Sequence, residues 1–233
     1  MTQKSTEGAV AGLVAAMVQP YDTGDVLADL VQDCAALYPA AAVAVMVIDG
    51  DRGLEMLSAT SHRAEELELL QIQHERGPCV DAARYATVVT ATGEEMATRW
   101  GPIGDAIAAA GFAGVHAYPM RWRGHALGGL NVFVDSPREP NSEESLIGQL
   151  FADLASLVIS HSSDIPGDVL SARIHEAMTA RSVVEQAKGV LAYREDIDLA
   201  DAYDVLRDRA RVNGHSLNDT AREVIREAEQ SRR

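Results

Sequence analysis

Apolar positions along this chain change period twice, and the changes divide it into parts. From Gly24 to Leu37, Val26, Leu27, Leu30, Val31 and Cys34 recur at helical spacing. A short apolar run from Ala42 to Ile48 follows, closed by the turn residues DGDRG, and Leu54 to Thr60 supplies a second strand, so helix, strand and hairpin are predicted in that order. His62 to His74 returns to helical spacing, with Leu67, Leu70 and Ile72 among acidic residues. Thr87 to Thr90 reads as a strand, and Ile103 to Ala110 as a small-residue helix stopped by Gly111. VHAYPMRW and ALGGLNVFV flank the turn Arg123-Gly124-His125 as a hairpin. Asn141 to Ser160 is a closing helix, with Asn141 or Ser142 as N-cap and Leu146, Leu150, Leu154, Leu157 and Val158 as its buried stripe.

Beyond Ser160 the strand period disappears. HSSDIPGDVL carries Pro166 and Gly167, which interrupt a continuing helix. Three helical patterns follow. The first runs from about Leu170 to Tyr193 on Ile174, Ala177, Val184, Ala187 and Leu191, and the second is capped by Asp198 on Leu199, Ala202, Tyr203, Leu206 and Ala210. Asn213-Gly214 ends that helix, and Ser216 caps a third on Leu217, Ala221, Val224 and Ile225. The expected organisation is an α+β domain around an antiparallel sheet over residues 1–161, a linker over 162–170 and an all-α three-helix domain over 171–233.

Composition narrows the function classes. Of 233 residues, 47% are hydrophobic and 24% charged, enough to fill a core and unlike a disordered chain. No stretch reaches the roughly 18–20 apolar residues of a membrane span, and the N-terminus lacks the pattern of a cleaved signal, so a cytoplasmic protein is expected. Cys34 and Cys79 form no C-x-x-C pair, which suits reduced thiols. The net charge of −15 is unevenly spread: residues 1–172 hold 9 Lys/Arg against 23 Asp/Glu, while 173–233 hold 11 against 12. The surplus that repels nucleic acid therefore belongs to the N-terminal part, and the C-terminal part is nearly neutral and arginine-rich.

Catalytic signatures are missing from the sequence. The seven histidines show no metal-binding spacing, and there is no G-x-S-x-G, P-loop or G-x-G-x-x-G. Gly128-Gly129 reads as a bulge or close packing within a strand. In HERGPC, His74 precedes Cys79 by five residues and could activate a thiol; the plainer reading packs Cys79 at a loop-to-helix junction with Pro78 in the first turn. An aspartate at a strand end such as Asp49 does not make a phosphorylated receiver, because the element order is not doubly wound. No enzyme is expected, no metal, and no cofactor beyond an unidentified small-molecule ligand.

Polar chemistry concentrates in the three-helix part. VVEQAKGVLAYR places Gln186, Lys188 and Gly189 together inside a helix, and Gly189 costs about 1 kcal/mol relative to alanine, so it needs a packing or functional reason. R-D-R-A-R at 207–211 offers guanidinium groups that can grip phosphates, with Tyr203 one turn upstream as a stacking surface. A salt-bridged dimerisation bundle, pairing Asp204 and Asp208 with Arg207 and Arg211, accounts for the same residues.

Resemblance to known families now separates these readings. RSVVEQAKGVLAYR, ADAYDVLRDRA and NGHSLNDTAREVI, in order and spacing, resemble the ANTAR domain of bacterial transcription antitermination regulators across nearly all of 171–228. The resemblance implies an RNA-binding module that recognises paired stem-loops. It carries the family's polar positions onto Arg181, Gln186, Lys188, Gly189, Arg194, Tyr203, Arg207 and Asn213, which Arg211 joins from the arginine cluster. Asp196 stands where the family often has glycine, and Ala192 where methionine is common. GPCVDA, GVHAYPMRWRGHALGGLNVFV and the closing helix resemble a GAF domain, which implies a GAF-like antiparallel sheet flanked by helices and, in many members, a pocket for cyclic nucleotides, haem or tetrapyrroles. Pocket identity does not follow from the fold. The expectation is a signal-responsive regulator that binds stem-loop RNA and promotes antitermination, with a homodimer formed through the closing helix and the first ANTAR helix. Two rivals are a double-stranded DNA binder and a GAF-type thiol-dependent methionine sulfoxide reductase working through Cys79.

Overall fold

The structure, a computed structural model, describes residues 5–19, 21–49, 53–160 and 167–230, without the side chains of 167–173. The turn residues Gly50 to Arg52 and the first part of the expected linker, 162–166, lie outside the described residues. Two helices open the chain, α1 (Thr6–Met17) and α2 (Thr23–Leu37), followed by β1 (Ala42–Asp49) and β2 (Gly53–Ala59). Then come α3 (His62–His74), α4 (Pro78–Tyr85), β3 (Val89–Thr92), α5 (Glu94–Trp100) and α6 (Pro102–Ala109). The strands β4 (Gly114–Trp122) and β5 (His125–Val134) precede α7 (Ser142–Ser160), α8 (Gly167–Glu195), α9 (Leu199–Asn213) and α10 (Leu217–Gln230).

All five strands pair antiparallel in the order β2-β1-β5-β4-β3. The alternating run of β1 explains why the sheet is covered on both sides. Val43, Val45 and Val47 face a core shared with Leu27 and Leu30 of α2 and Phe151 and Val158 of α7, while Ala42 joins Trp100, Ile107 and Phe112 on the opposite face. Phe112 and Phe133 stack there with centroids 4.9 Å apart. The β4–β5 hairpin turns on Arg123 and Gly124, both at positive φ (49° and 85°), the conformation of a two-residue turn that matches strand twist. Gly128 is a close approach as expected: a Cβ there would lie 2.0 Å from the Met46 carbonyl oxygen.

Several elements differ from expectation. α1 and α5 are extra helices in stretches the pattern leaves unassigned, α4 starts at Pro78 as the loop-to-helix reading of HERGPC has it, and β3 begins two residues later than the predicted strand. The closing helix starts with a reciprocal cap, Glu144 N–H donating to Asn141 Oδ1 and Asn141 N–H to the Glu144 carboxylate, each at 2.9 Å. Its buried face is Ile147, Phe151, Leu154, Ala155 and Val158, so Leu154 and Val158 of the expected stripe are buried while Leu146 and Leu157 are not; Leu146 is 72% exposed. Leu199 is likewise exposed.

The long helix α8 serves two cores. Ile174 and Ala177 pack into the α2–α7 side of the sheet domain, while Val184, Ala187 and Leu191 form the three-helix core with Ala202, Leu206, Ala221 and Val224. Asp198 caps α9 by accepting from Asp201 N–H at 2.8 Å, and Ser216 caps α10 by accepting from Asp219 N–H at 3.0 Å. Asp196 takes the left-handed conformation (φ 53°) that a glycine would adopt freely.

Candidate nucleic-acid interface

Arg181, Glu185 and Lys188 lie at successive turns along one stripe of α8, and that stripe faces α3 of the sheet domain. Lys188 donates from Nζ to Glu65 Oε2 at 2.8 Å and to both carboxylate oxygens of Glu185 at 2.8 and 3.0 Å. His62 Nδ1 is 3.2 Å away, and the ammonium sits 5.5 Å from the centroid of the Tyr203 ring. Arg181 Nη2 donates to the other oxygen of Glu65 at 2.7 Å. The Lys188 side chain is 0% exposed. A buried ammonium needs charge partners, and Glu65 of α3 and Glu185 of α8 supply them, with the Tyr203 ring of α9 beside it.

The electrostatics follow from this geometry. Burial alone would raise the Glu65 carboxyl, but hydrogen bonds and charge from Lys188 and Arg181 outweigh it and hold it at about 2. Glu185 moves the other way, since burial raises it and the Lys188 hydrogen bond offsets only part, with Glu65 adding repulsion. Burial also pushes the Tyr203 phenol up. Its hydroxyl donates to the Ala59 carbonyl at 2.9 Å. Around this cluster α10 and α2 are tied by Asn218, whose N–H and Nδ2 donate to Asp25 Oδ1 at 3.3 and 3.0 Å. Gly24 meets Ala180 so closely that a Cβ would lie 2.5 Å from the alanine methyl.

The nine candidate residues thus fall in four places. Arg181, Lys188 and Tyr203 form the buried cluster, which corrects the expectation that Lys188 projects freely and that Tyr203 offers an open stacking face. Arg207 and Arg211 border a cleft of about 880 Å³ opposite Asp25 and Asp33 of α2. They pair with Asp204 and Asp208 at 3.1 and 3.2 Å, while Arg209 turns away to Glu195. The three guanidinium groups of R-D-R-A-R therefore do not act on one face. Gln186, Gly189 and Arg194 line an outward groove of about 570 Å³ with Tyr193 and Ile225, and Asn213 is exposed at the end of α9. A Cβ on Gly189 would meet nothing within 4 Å, so no intramolecular contact requires that glycine.

Sequence reasoning missed Glu65, His62 and Glu185. Glu185 was readable, three residues before Lys188 on the same helix face. Glu65 was not, because its partners are 116 and 123 residues away. The thiol candidate packs as its plainer reading had it. Cys79 is buried beside Gly129, its N–H donates to Gln71 Oε1 at 3.1 Å, and burial followed by the charge of Glu68 pushes its thiol well above the ordinary value. His74 is exposed. Among the described residues no cluster of three or more His, Cys, Asp or Glu could hold a metal ion, and no helix is long and apolar enough to cross a membrane.

Together the fold and the cluster define a two-part protein in which an antiparallel-sheet domain holds a three-helix unit through the latter's cationic face. Residues 172–225 match the ANTAR domain family, and the chain carries that domain behind a domain of GAF fold. ANTAR domains are RNA-binding antitermination modules. Among solved structures, the chain resembles the GAF domain of a Coxiella burnetii phosphoenolpyruvate-protein phosphotransferase with a TM-score of 0.54, 12% identity and coverage of 69% of this chain and 96% of that one. The GAF domain of the Acinetobacter phosphoenolpyruvate-protein phosphotransferase gives 0.52, 13%, 70% and 99%, and a GAF domain/HD domain protein from Geobacter sulfurreducens 0.50, 20%, 65% and 96%. At these identities the likeness concerns the fold. Comparison with curated proteins returned no match.

Proposed function

We propose that this protein is a signal-responsive regulator that binds stem-loop RNA through its ANTAR domain and promotes transcription antitermination. The observation that carries the reading is the family match over 172–225, which falls on helices whose arginines, Arg207 and Arg211 among them, stand outside their hydrophobic core. Recognition would combine phosphate contacts from arginine and lysine with loop bases splayed onto side chains. Surface pairs such as Arg207–Asp204 and Arg211–Asp208 are each worth at most about 1 kcal/mol, so phosphate can replace the carboxylate at little cost. The GAF-fold domain would receive a small-molecule signal and change how the helices around residues 162–170 are oriented. A homodimer through α7 is part of the proposal, with Leu146 and Leu157 exposed on its outer side. Transcript binding places the protein in the cytoplasm.

A DNA-binding alternative needs a base-reading helix, yet Arg222 and Arg226 of α10 sit beside Asp219 and Glu223. Gel shifts comparing paired stem-loop RNA with duplex DNA, repeated with Lys188→Ala and Arg207→Ala, test the reading. Preference for RNA that both substitutions weaken is expected; equal or tighter binding to duplex DNA refutes it.

A further inference from the structure

Glu65 belongs to the GAF-fold domain, yet it contacts the two cations of α8 that the ANTAR resemblance assigns to RNA. One carboxylate spans them, Oε1 to Arg181 and Oε2 to Lys188, as the two non-bridging oxygens of a phosphodiester could. The fit to the carboxylate is incomplete. Arg181 Nε is buried with no hydrogen-bond partner among the described residues, so the fork of this guanidinium is used on one side only. The surrounding interface is also imperfectly filled, with a cavity of about 50 Å³ between Glu65, Arg181, Tyr203 and Asn218. That space has room for water beside the carboxylate, so the contact is not closed to solvent-sized groups.

From these observations we infer that Arg181, Lys188 and Tyr203 form a phosphodiester site which the Glu65 carboxylate fills in the closed arrangement, so that the GAF-fold domain and RNA compete for the same groups. The inference rests on the RNA-binding reading and adds to it a named competitor. Glu65 acts here as a stand-in for RNA backbone, and the resting protein is held off its transcript by a contact of about the same chemistry as the one it will make. Asn218 on Asp25 and Tyr203 on the Ala59 carbonyl would part in the same movement, since both bridge the same two domains.

The test uses the full chain with a pool of paired stem-loop RNAs of randomised loop sequence. Glu65→Gln keeps the shape and removes the charge, and Glu65→Lys repels both cations; each is expected to bind RNA at least tenfold more tightly than the unaltered chain. Adding Lys188→Gln to either variant should abolish the gain, and amide exchange across 181–191 should accelerate in the single variants. Unchanged RNA affinity in both single variants, with exchange accelerated in either, overturns the competition while leaving RNA binding intact. Failure of every form to prefer RNA over duplex DNA instead refutes the reading beneath it.

Discussion

Replacing Glu68 with glutamine should stabilise the protein, and by an amount that depends on pH. Glu68 lies in α3 with its side chain fully buried, one oxygen accepting from Asn131 Nδ2 and the other without a hydrogen-bond partner among the described residues. Burial pushes its carboxyl from the ordinary 4.5 up to about 8, and the Asn131 amide offsets only part of that. The folded protein therefore keeps Glu68 protonated at pH 7, whereas the unfolded chain ionises it. With the folded value raised, this group leaves stability intact below about pH 4.5 and removes it as pH rises toward 8. At pH 7 the gap between 4.5 and 7, at about 1.4 kcal/mol for each pH unit, corresponds to roughly 3 kcal/mol of lost stability. Glutamine accepts the same Asn131 hydrogen bond and never ionises. Urea unfolding at pH 5 and pH 8 checks the reasoning: the advantage of Glu68→Gln should grow by about 3 kcal/mol between them, a midpoint separation of about 1 M or more at pH 8. An advantage equal at both pH values, or a variant less stable at pH 8, refutes it.

Three further outcomes are expected. Asp196→Gly relieves a left-handed aspartate between α8 and α9 and should raise stability by about 0.5–1 kcal/mol in the same unfolding assay, with RNA affinity unchanged or improved by the lost charge. Gly128→Ala drives a methyl into the Met46 carbonyl and should cost about 3 kcal/mol or more, visible as a large fall in melting temperature or loss of soluble protein. Cys34 and Cys79 are both buried, so a thiol reagent should modify neither until denaturant is added, and Cys79→Ser should leave RNA affinity unchanged.

Much of this architecture was legible in the residues because it rests on local period. The β1 run alternates between two covered faces, and Arg123-Gly124 supplies the positive φ values that a tight hairpin demands. Asp198 and Ser216 announce the starts of α9 and α10 through their side-chain oxygens. Short helices were harder, because α5 buries only Met96 and Trp100, too few positions to define a period. In α7, Leu154 and Val158 are buried as read, but choosing leucines by identity added the exposed Leu146 and Leu157 and passed over Ile147 and Phe151, which fill the core. The candidate site was legible as composition and hidden as geometry. Lys188 reads as an exposed cation within its own helix, and only the return of Glu65 and His62 from the other domain takes it out of water.

The continuity of α8 has a consequence for how such a protein can be lengthened, shortened or recombined. Because one helix holds Ile174 and Ala177 in the first core and Lys188 on Glu65, the two domains share a rotational phase as well as a tether. A single residue inserted between Ala177 and Arg181 would turn everything beyond it by about 100° and swing Lys188 away from its acidic partner; seven residues would return it to within about 20°, some 10 Å further along the axis. Spacing between the domains is therefore constrained by angle, and the helix behaves as a shaft whose register sets whether the cationic face meets the sheet domain or the solvent.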